Sequence, residues 1–325
     1  MNKVLKVGIV GLGGMGTVHF NNYNEIENVK VVATVGVCEN DHQKAKSWGL
    51  PIYDTITEMV KTHDVDIVDI CTPTFTHYPL TMESLKLGKH TILEKPIALK
   101  LEDAEEMYAQ AEESGVQLYV AQVLQFSREV EELRRFVETE KYGKALDAVF
   151  IRLTEAPKWS QGGWLFDKEK SGLVPYDLHI HDLDVVVSLF GTPEYLTQIS
   201  GGRKTVSYQE YYRMCYGYKT GLNVCAEAGW LNAGIPFTAT WRVYFENGML
   251  MWDGKSLMAY DNLGNQEEID VSDHILIPTG INIPPTGWFY RELRHFITCI
   301  EQNAPSALVP KEQVLSVLKL INCIS

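Results

Sequence analysis

Up to about residue 122 the chain alternates short β-branched apolar runs with amphipathic stretches. The apolar runs are KVGIV (6–10), VKVVATVGVC (29–38), VDIVDIC (65–71), HTILE (90–94) and VQLYVA (116–121). Near-continuous apolar strands separated by helical spacers predict a parallel sheet buried on both faces. Two of the spacers show their ends: PLTMESLKLG (79–88) stops on Gly88, and LEDAEEMYAQAEESG (101–115) opens acidic and stops on Gly115.

Beyond about residue 125 the texture changes. SREVEELRRFVETEKYG (127–143) predicts one more helix, and hairpin-like strands follow. YYRMCYGY and LNVCAEAGW flank Lys219-Thr220-Gly221, while FTATWRVYF and MLMWDG flank Glu246-Asn247-Gly248. The Asn-Gly pair is the stronger turn signal, because a tight primed turn needs positive φ at both central residues. A mostly antiparallel sheet with a few helices is therefore expected in the second half. Its Trp230, Trp241 and Trp252 face either another subunit or the domain's own helix-covered side.

A chain of 325 residues is too long for one small core and suggests two domains. With 29 basic and 42 acidic side chains the formal charge is −13, which speaks against a phosphate-backbone partner. Six scattered cysteines without a C-x-x-C pair read as reduced thiols in a cytoplasmic protein. Glycines interrupt the apolar start too early for a secretory leader, and no apolar run is long enough to cross a membrane.

Candidate chemistry begins at GIVGLGGMGTVHF, where Gly11, Gly13 and Gly16 keep G-x-G-x-x-G spacing between a strand and a helix. Such glycines serve a tight turn, close backbone approach to a pyrophosphate, and helix-on-strand packing, with the helix N-terminus facing the negative charge. Leu12, Gly14 and Met15 complete the turn. Glu39 follows Gly16 by 23 residues at the next strand end. A carboxylate there would accept ribose hydroxyls and repel a 2′-phosphate, which favours NAD over NADP. CTPTFTH (71–77) and EKP (94–96) follow the next strands, where open parallel sheets bind ligands. They contribute Cys71, Thr72, Pro73, His77, Glu94 and Lys95 as cofactor contacts.

GLGGMG, CTPTFTH, EKP and DLHIHDLD (177–184), in that order and at these separations, resemble the glucose-fructose oxidoreductase, inositol dehydrogenase and rhizopine-catabolism family (Gfo/Idh/MocA) along nearly the whole chain. The resemblance implies an α/β Rossmann domain with a doubly wound parallel sheet over residues 1–124. It implies an α+β domain with a large, mostly antiparallel open-faced sheet over 125–325. A nicotinamide cofactor, a sugar- or polyol-like substrate and a homodimer or homotetramer also follow from it. The family's catalytic lysine, aspartate and histidine fall on Lys95, Asp177 and His181, and Gln122 and Trp164 join these three as substrate contacts. Gly172 and the helix carrying Phe289-Tyr290-Arg291-Glu292 also match family features. There are departures: His179 stands where Gly is frequent, Gln125-Phe126 where Arg-Phe is frequent, and the chain stops at Ser325, earlier than the resemblance leads one to expect.

On an α-helix Asp177, His181 and Asp184, at i, i+4 and i+7, fall within about 60° of one another. His179 and Asp182 point the other way, so the eight residues do not converge as one metal cage, and no metal is expected. A proton relay is favoured over a polar helix start. His181, of ordinary pKa near 6.5, suits a general base, Lys95 stabilises developing charge on the same oxygen, and Asp177 orients one of them. His179 contacts substrate or packs. The leading reading is NAD(P)-dependent oxidation of a hydroxyl carbon. A non-catalytic NAD(P)(H)-binding regulator, a metal-dependent enzyme using residues 177–184, and an oxidoreductase that retains and recycles its nicotinamide are the alternatives.

Overall fold

A computed structural model describes residues 3–158, 160–281 and 283–324. The chain packs as two compact units: Met1–Phe126 with Asp273–Leu318, and Ser127–Ser272 with Lys319–Ser325.

The first unit holds a six-stranded parallel sheet. Its strands and helices alternate as β1 (Leu5–Val10), α1 (Gly14–Tyr23), β2 (Val29–Val35), α2 (Glu39–Trp48), β3 (Ile52–Tyr53), α3 (Ile56–Thr62), β4 (Ile67–Ile70), α4 (His77–Lys86), β5 (His90–Glu94), α5 (Leu101–Ser114) and β6 (Leu118–Ala121). The strand order β3-β2-β1-β4-β5-β6 is that of a dinucleotide-binding sheet, and it reverses direction between β1 and β4. β4 and β6 are buried at every position, as expected for strands covered on both faces. The five apolar runs each contain one strand. β3 lacked a signal because it is two residues long.

The second unit begins with α6 (Arg128–Glu138), β7 (Ala145–Glu155), α7 (Lys168–Ser171) and α8 (Ile180–Phe190). It continues through β8 (Tyr195–Gly201), β9 (Tyr211–Gly217), β10 (Asn223–Leu231), β11 (Thr238–Phe245), β12 (Gly248–Trp252), β13 (Leu257–Asp261) and β14 (Gln266–Ile269). These eight strands form one sheet in the order β14-β13-β12-β11-β7-β10-β9-β8. Every adjacent pair is antiparallel except β7 and β10. Both expected hairpins are present, and Gly248 closes the second against Phe245. Alternate side chains of β9 and β10, among them Tyr212, Met214, Tyr216, Val224, Ala226 and Trp230, are buried. Trp230 packs edge-on against Phe166 and Tyr208, so it and the buried Trp241 belong to the unit's own core.

The chain then contributes α9 (Trp288–Glu301) to the first unit, and α10 (Lys311–Asn322) ends with its last residues in the second. Compactness therefore divides the chain differently from the single boundary at 124/125: residues 273–318 group with the parallel sheet. Phe289 of α9 joins Val18 and Val123 in a buried cluster, the Arg291 side chain donates from Nε to the Phe126 carbonyl at 2.7 Å, and the Tyr119 hydroxyl donates to the Ala304 carbonyl at 2.7 Å. Helical periodicity shows that a helix has an apolar face, and it does not show which sheet receives that face.

Candidate functional site

The glycine-rich turn lies between β1 and α1, at the point where the strand order reverses. Gly11 has φ +86°, and a Cβ there would meet the Thr72 side chain at 2.7 Å and the Cys71 carbonyl at 2.8 Å. At Gly16 a Cβ would lie 2.0 Å from the Gly11 carbonyl oxygen, so helix and turn touch through bare backbone. Gly13 is different, because a Cβ there meets nothing within 4 Å. The backbone at Gly13 and Gly14 is exposed at the N-terminus of α1, Met15 is half-buried, and Leu12 is buried beneath the turn. This open cradle of helix-start amides fits the pyrophosphate of a dinucleotide.

Beneath the turn lies a buried polar cluster that sequence spacing did not reveal. His19 on α1 places Nδ1 2.8 Å from Asp69 Oδ2 on β4, and Cys71 Sγ stands 3.4 Å from the same nitrogen. On the opposite edge of the ring, Nε2 makes an ion-pair contact of 3.1 Å with Glu94 Oε1. Burial alone would lower the His19 pKa, but the Asp69 charge and the hydrogen bonds to Asp69 and Cys71 outweigh it and hold the pKa well above its ordinary value. His19 is thus an imidazolium between two carboxylates that join the ends of β4 and β5. Burial, and then the Asp69 charge, pushes the Tyr23 phenol up, and burial does the same to the Cys71 thiol.

His19, Asp69 and Cys71 bring their ligand atoms within 4.8 Å of one another, whereas no second grouping of this kind was expected from sequence. The His19–Asp69 separation is that of a hydrogen bond, and the set is sealed from solvent. The geometry is that of an ion pair, not of a cage. Among the described residues the run 177–184 supplies no such grouping.

Other candidates in the first unit take distinct places. His77 is buried with Nδ1 2.7 Å from the Pro96 carbonyl and Nε2 2.8 Å from the Thr72 carbonyl, so its ring ties the two strand-end loops together, and burial lowers its pKa. Thr72 accepts from the Thr76 hydroxyl at 2.7 Å. Pro73 follows it, half-buried. The Lys95 amide donates to Glu94 Oε2 at 3.1 Å, and the Lys95 side chain is half-buried. Glu39 begins α2, exposed, and accepts from Gln43 on the same helix at 3.1 Å. Gln122, just after β6, is buried, with no hydrogen-bond partner for its Oε1 among the described residues.

In the second unit DLHIHDLD is not one uniform α-helix. Residues Pro175–His179 wind as a π-helix, and only from Ile180 does α8 proceed with α geometry. The 100° step assumed from Asp177 to His181 therefore does not apply, because the wider i→i+5 turn advances less per residue. Burial separates the roles. His179 is fully buried, its Nε2 2.5 Å from the Tyr216 hydroxyl and its ring parallel to the tyrosine. Burial and then the Arg152 charge push its pKa down to about 3, which makes it a neutral packing residue. Asp182 receives two hydrogen bonds from Arg152, at 2.9 and 2.8 Å, and both side chains are buried. Asp184 is also buried. Only Asp177 and His181 of the five polar side chains are half-exposed. Trp164 sits half-buried in Gln161–Phe166, a short segment whose helical winding is broken by positive φ at Gly162 and Gly163.

Residues 5–122 match the oxidoreductase family's NAD-binding Rossmann fold and residues 130–251 the GFO/IDH/MocA C-terminal domain. The chain is 30% identical over 199 residues to the 2,7-anhydro-N-acetylneuraminate hydratase of Escherichia coli K12, covering 61% of this chain and 53% of that one. It is 29% identical over 189 residues to the myo-inositol 2-dehydrogenase of Thermotoga maritima, covering 58% and 55%. The chain thus spans about half the length of the curated relatives it matches. In fold it resembles the aldose-aldose oxidoreductase of Caulobacter crescentus complexed with glycerol, at TM-score 0.85, 21% identity and 99% and 96% coverage of this chain and that one. The Rossmann strand order, the glycine cradle and the paired domain matches together make this chain a member of the Gfo/Idh/MocA oxidoreductase family, with an NAD-binding N-terminal domain.

Proposed function

We propose that the chain is an NAD-dependent dehydrogenase that oxidises a hydroxyl carbon of a cyclic polyol or sugar-like substrate, or reduces the corresponding carbonyl. The observation that carries this reading is the division of labour within residues 177–184. The fold spends His179, Asp182 and Asp184 on burial and leaves an acid and an imidazole, Asp177 and His181, half-exposed four residues apart. A merely polar helix start has no reason to sort its residues in this way.

Bound NAD supplies a hydride acceptor at the nicotinamide ring. The chain's own groups handle the proton and the charge: His181 takes the proton from the substrate hydroxyl as general base. Lys95 donates a hydrogen bond to the same oxygen and stabilises the negative charge that builds there, and Asp177 orients the lysine or the imidazole. Gln122 and Trp164 hold the substrate ring. The exposed Glu39 carboxylate favours NAD by accepting ribose hydroxyls and repelling a 2′-phosphate.

A second reading is favoured by the similarity to a hydratase: the nicotinamide is retained and returned to its starting state, so that net water addition needs no external oxidant. The test is turnover of a panel of inositols, pyranoses and anhydrosugars by the purified chain, with NAD, with NADP and without added cofactor. NADH accumulation in step with one ring class supports the dehydrogenase. Product formation without NADH accumulation supports the retained-cofactor reading. Neither, in a protein that binds NAD, sinks both.

A further inference from the structure

Cys215 on β9 and Cys225 on β10 are directly opposed in the antiparallel pairing, with their Sγ atoms 2.8 Å apart. The turn enforces this placement: β9 and β10 pair symmetrically about Thr220, so residues equidistant from it face each other. Opposed residues in an antiparallel pair hold their Cα atoms about 4.5–5.5 Å apart, inside the roughly 4.4–6.8 Å that a disulfide bridges. The opposed pair therefore meets the Cα separation that a disulfide needs.

Both thiols are free and half-buried. They project from the face of the sheet opposite to Tyr212, Met214, Val224 and Ala226, and line a groove of about 280 Å³ together with Val149, Ile151, Thr197 and Ile199. The other cysteines have different surroundings: Cys71 and Cys299 are buried against His19 and His295, Cys38 caps the N-terminus of α2, and Cys323 is exposed just after α10.

We propose that Cys215 and Cys225 are a modification site, a cross-strand dithiol that low-molecular-weight disulfides convert to an intramolecular disulfide. One cysteine, as thiolate, attacks a sulfur of the reagent R–S–S–R, forms a mixed disulfide and expels R–S⁻, which takes up a proton. The second cysteine gives its proton to solvent, attacks the protein sulfur of the mixed disulfide and expels the second R–S⁻, which is protonated in turn. Two protein S–H bonds and one reagent S–S bond become one protein S–S bond and two R–SH. Burial and the neighbouring thiol push the Cys225 pKa up to about 11, so exchange is slow near neutrality and faster as pH rises. Proximity makes the second attack intramolecular, and it outruns capture of a second reagent molecule.

The test is intact-mass and peptide mapping of the reduced full-length chain after incubation with oxidised glutathione, in a Cys38→Ser, Cys323→Ser background that removes the competing accessible thiols. The expected product has lost two hydrogens, carries no glutathione, shows the 215–225 linkage and returns to the dithiol on reduction. Cys215→Ser and Cys225→Ser should each retain one glutathione on the remaining partner. Glutathione retained on both cysteines of the otherwise unaltered pair overturns the proposal. So does survival of both free thiols at alkaline pH, and neither result depends on how the single variants fold.

Discussion

His19 Nδ1 and Asp69 Oδ2 lie 2.8 Å apart with no solvent between them, although fifty residues separate them in the chain. Glu94 closes the other side of the ring, so one imidazolium compensates two buried carboxylates at the roots of the glycine turn and of the EKP loop. Removing one partner of a buried ion pair leaves an uncompensated charge and costs about 3–5 kcal/mol. His19→Gln is therefore expected to lower the free energy of unfolding by an amount in that range and to weaken NAD binding. Urea unfolding and NADH fluorescence titration measure the two effects.

The same pair sets a pH dependence. The folded-state pKa of His19 is raised, so the native protein holds a proton that the unfolded chain releases. This contribution to stability is complete below about pH 6.5 and is lost as pH rises through the folded value. Stability of the wild type should fall on the alkaline side, and His19→Gln should flatten that slope. An unchanged slope in the variant contradicts the imidazolium assignment.

His179 has the opposite sign. Its folded pKa of about 3 lies below the unfolded value, so between these limits the unfolded chain binds the extra proton and stability declines as pH falls. The neighbouring Arg152–Asp182 pair is buried, and Arg152→Met is predicted to cost about 3–5 kcal/mol, much of it recovered by Asp182→Leu in the double variant. Thermal melts of the two single variants and the double variant check this.

Gly13 and Gly16 should separate binding from folding. Gly16→Ala drives a Cβ to 2.0 Å from the Gly11 carbonyl oxygen and should destabilise the fold. Gly13→Ala meets no protein atom, so its melting temperature should stay near wild type while NAD affinity drops about tenfold or more, or at least ~1.4 kcal/mol. Equal losses of stability in both variants would show that Gly13 is only a turn residue.

Much of this architecture was legible from the sequence because its signals are local. Apolar runs marked the buried strands, the glycine spacing marked the cradle, and Glu246-Asn247-Gly248 marked a hairpin. The His19–Asp69–Glu94 cluster was not legible, since it exists only once α1 packs beside the neighbouring strands β4 and β5. The π-helical winding of Pro175–His179 escaped an argument that assumed one angular step per residue. That Cys215 faces Cys225 was implied by the hairpin around Thr220 and needed only the register to be drawn.

The measurement that tests the account most directly is the pre-steady-state rate of nicotinamide reduction with saturating NAD and a turned-over ring substrate, for wild type, Lys95→Ala and His181→Ala. Loss of a general base or of an oxyanion donor should slow that step by roughly 10²-fold or more in each variant, with NAD affinity little changed in His181→Ala. Near wild-type rates in both variants would contradict the proposed proton relay.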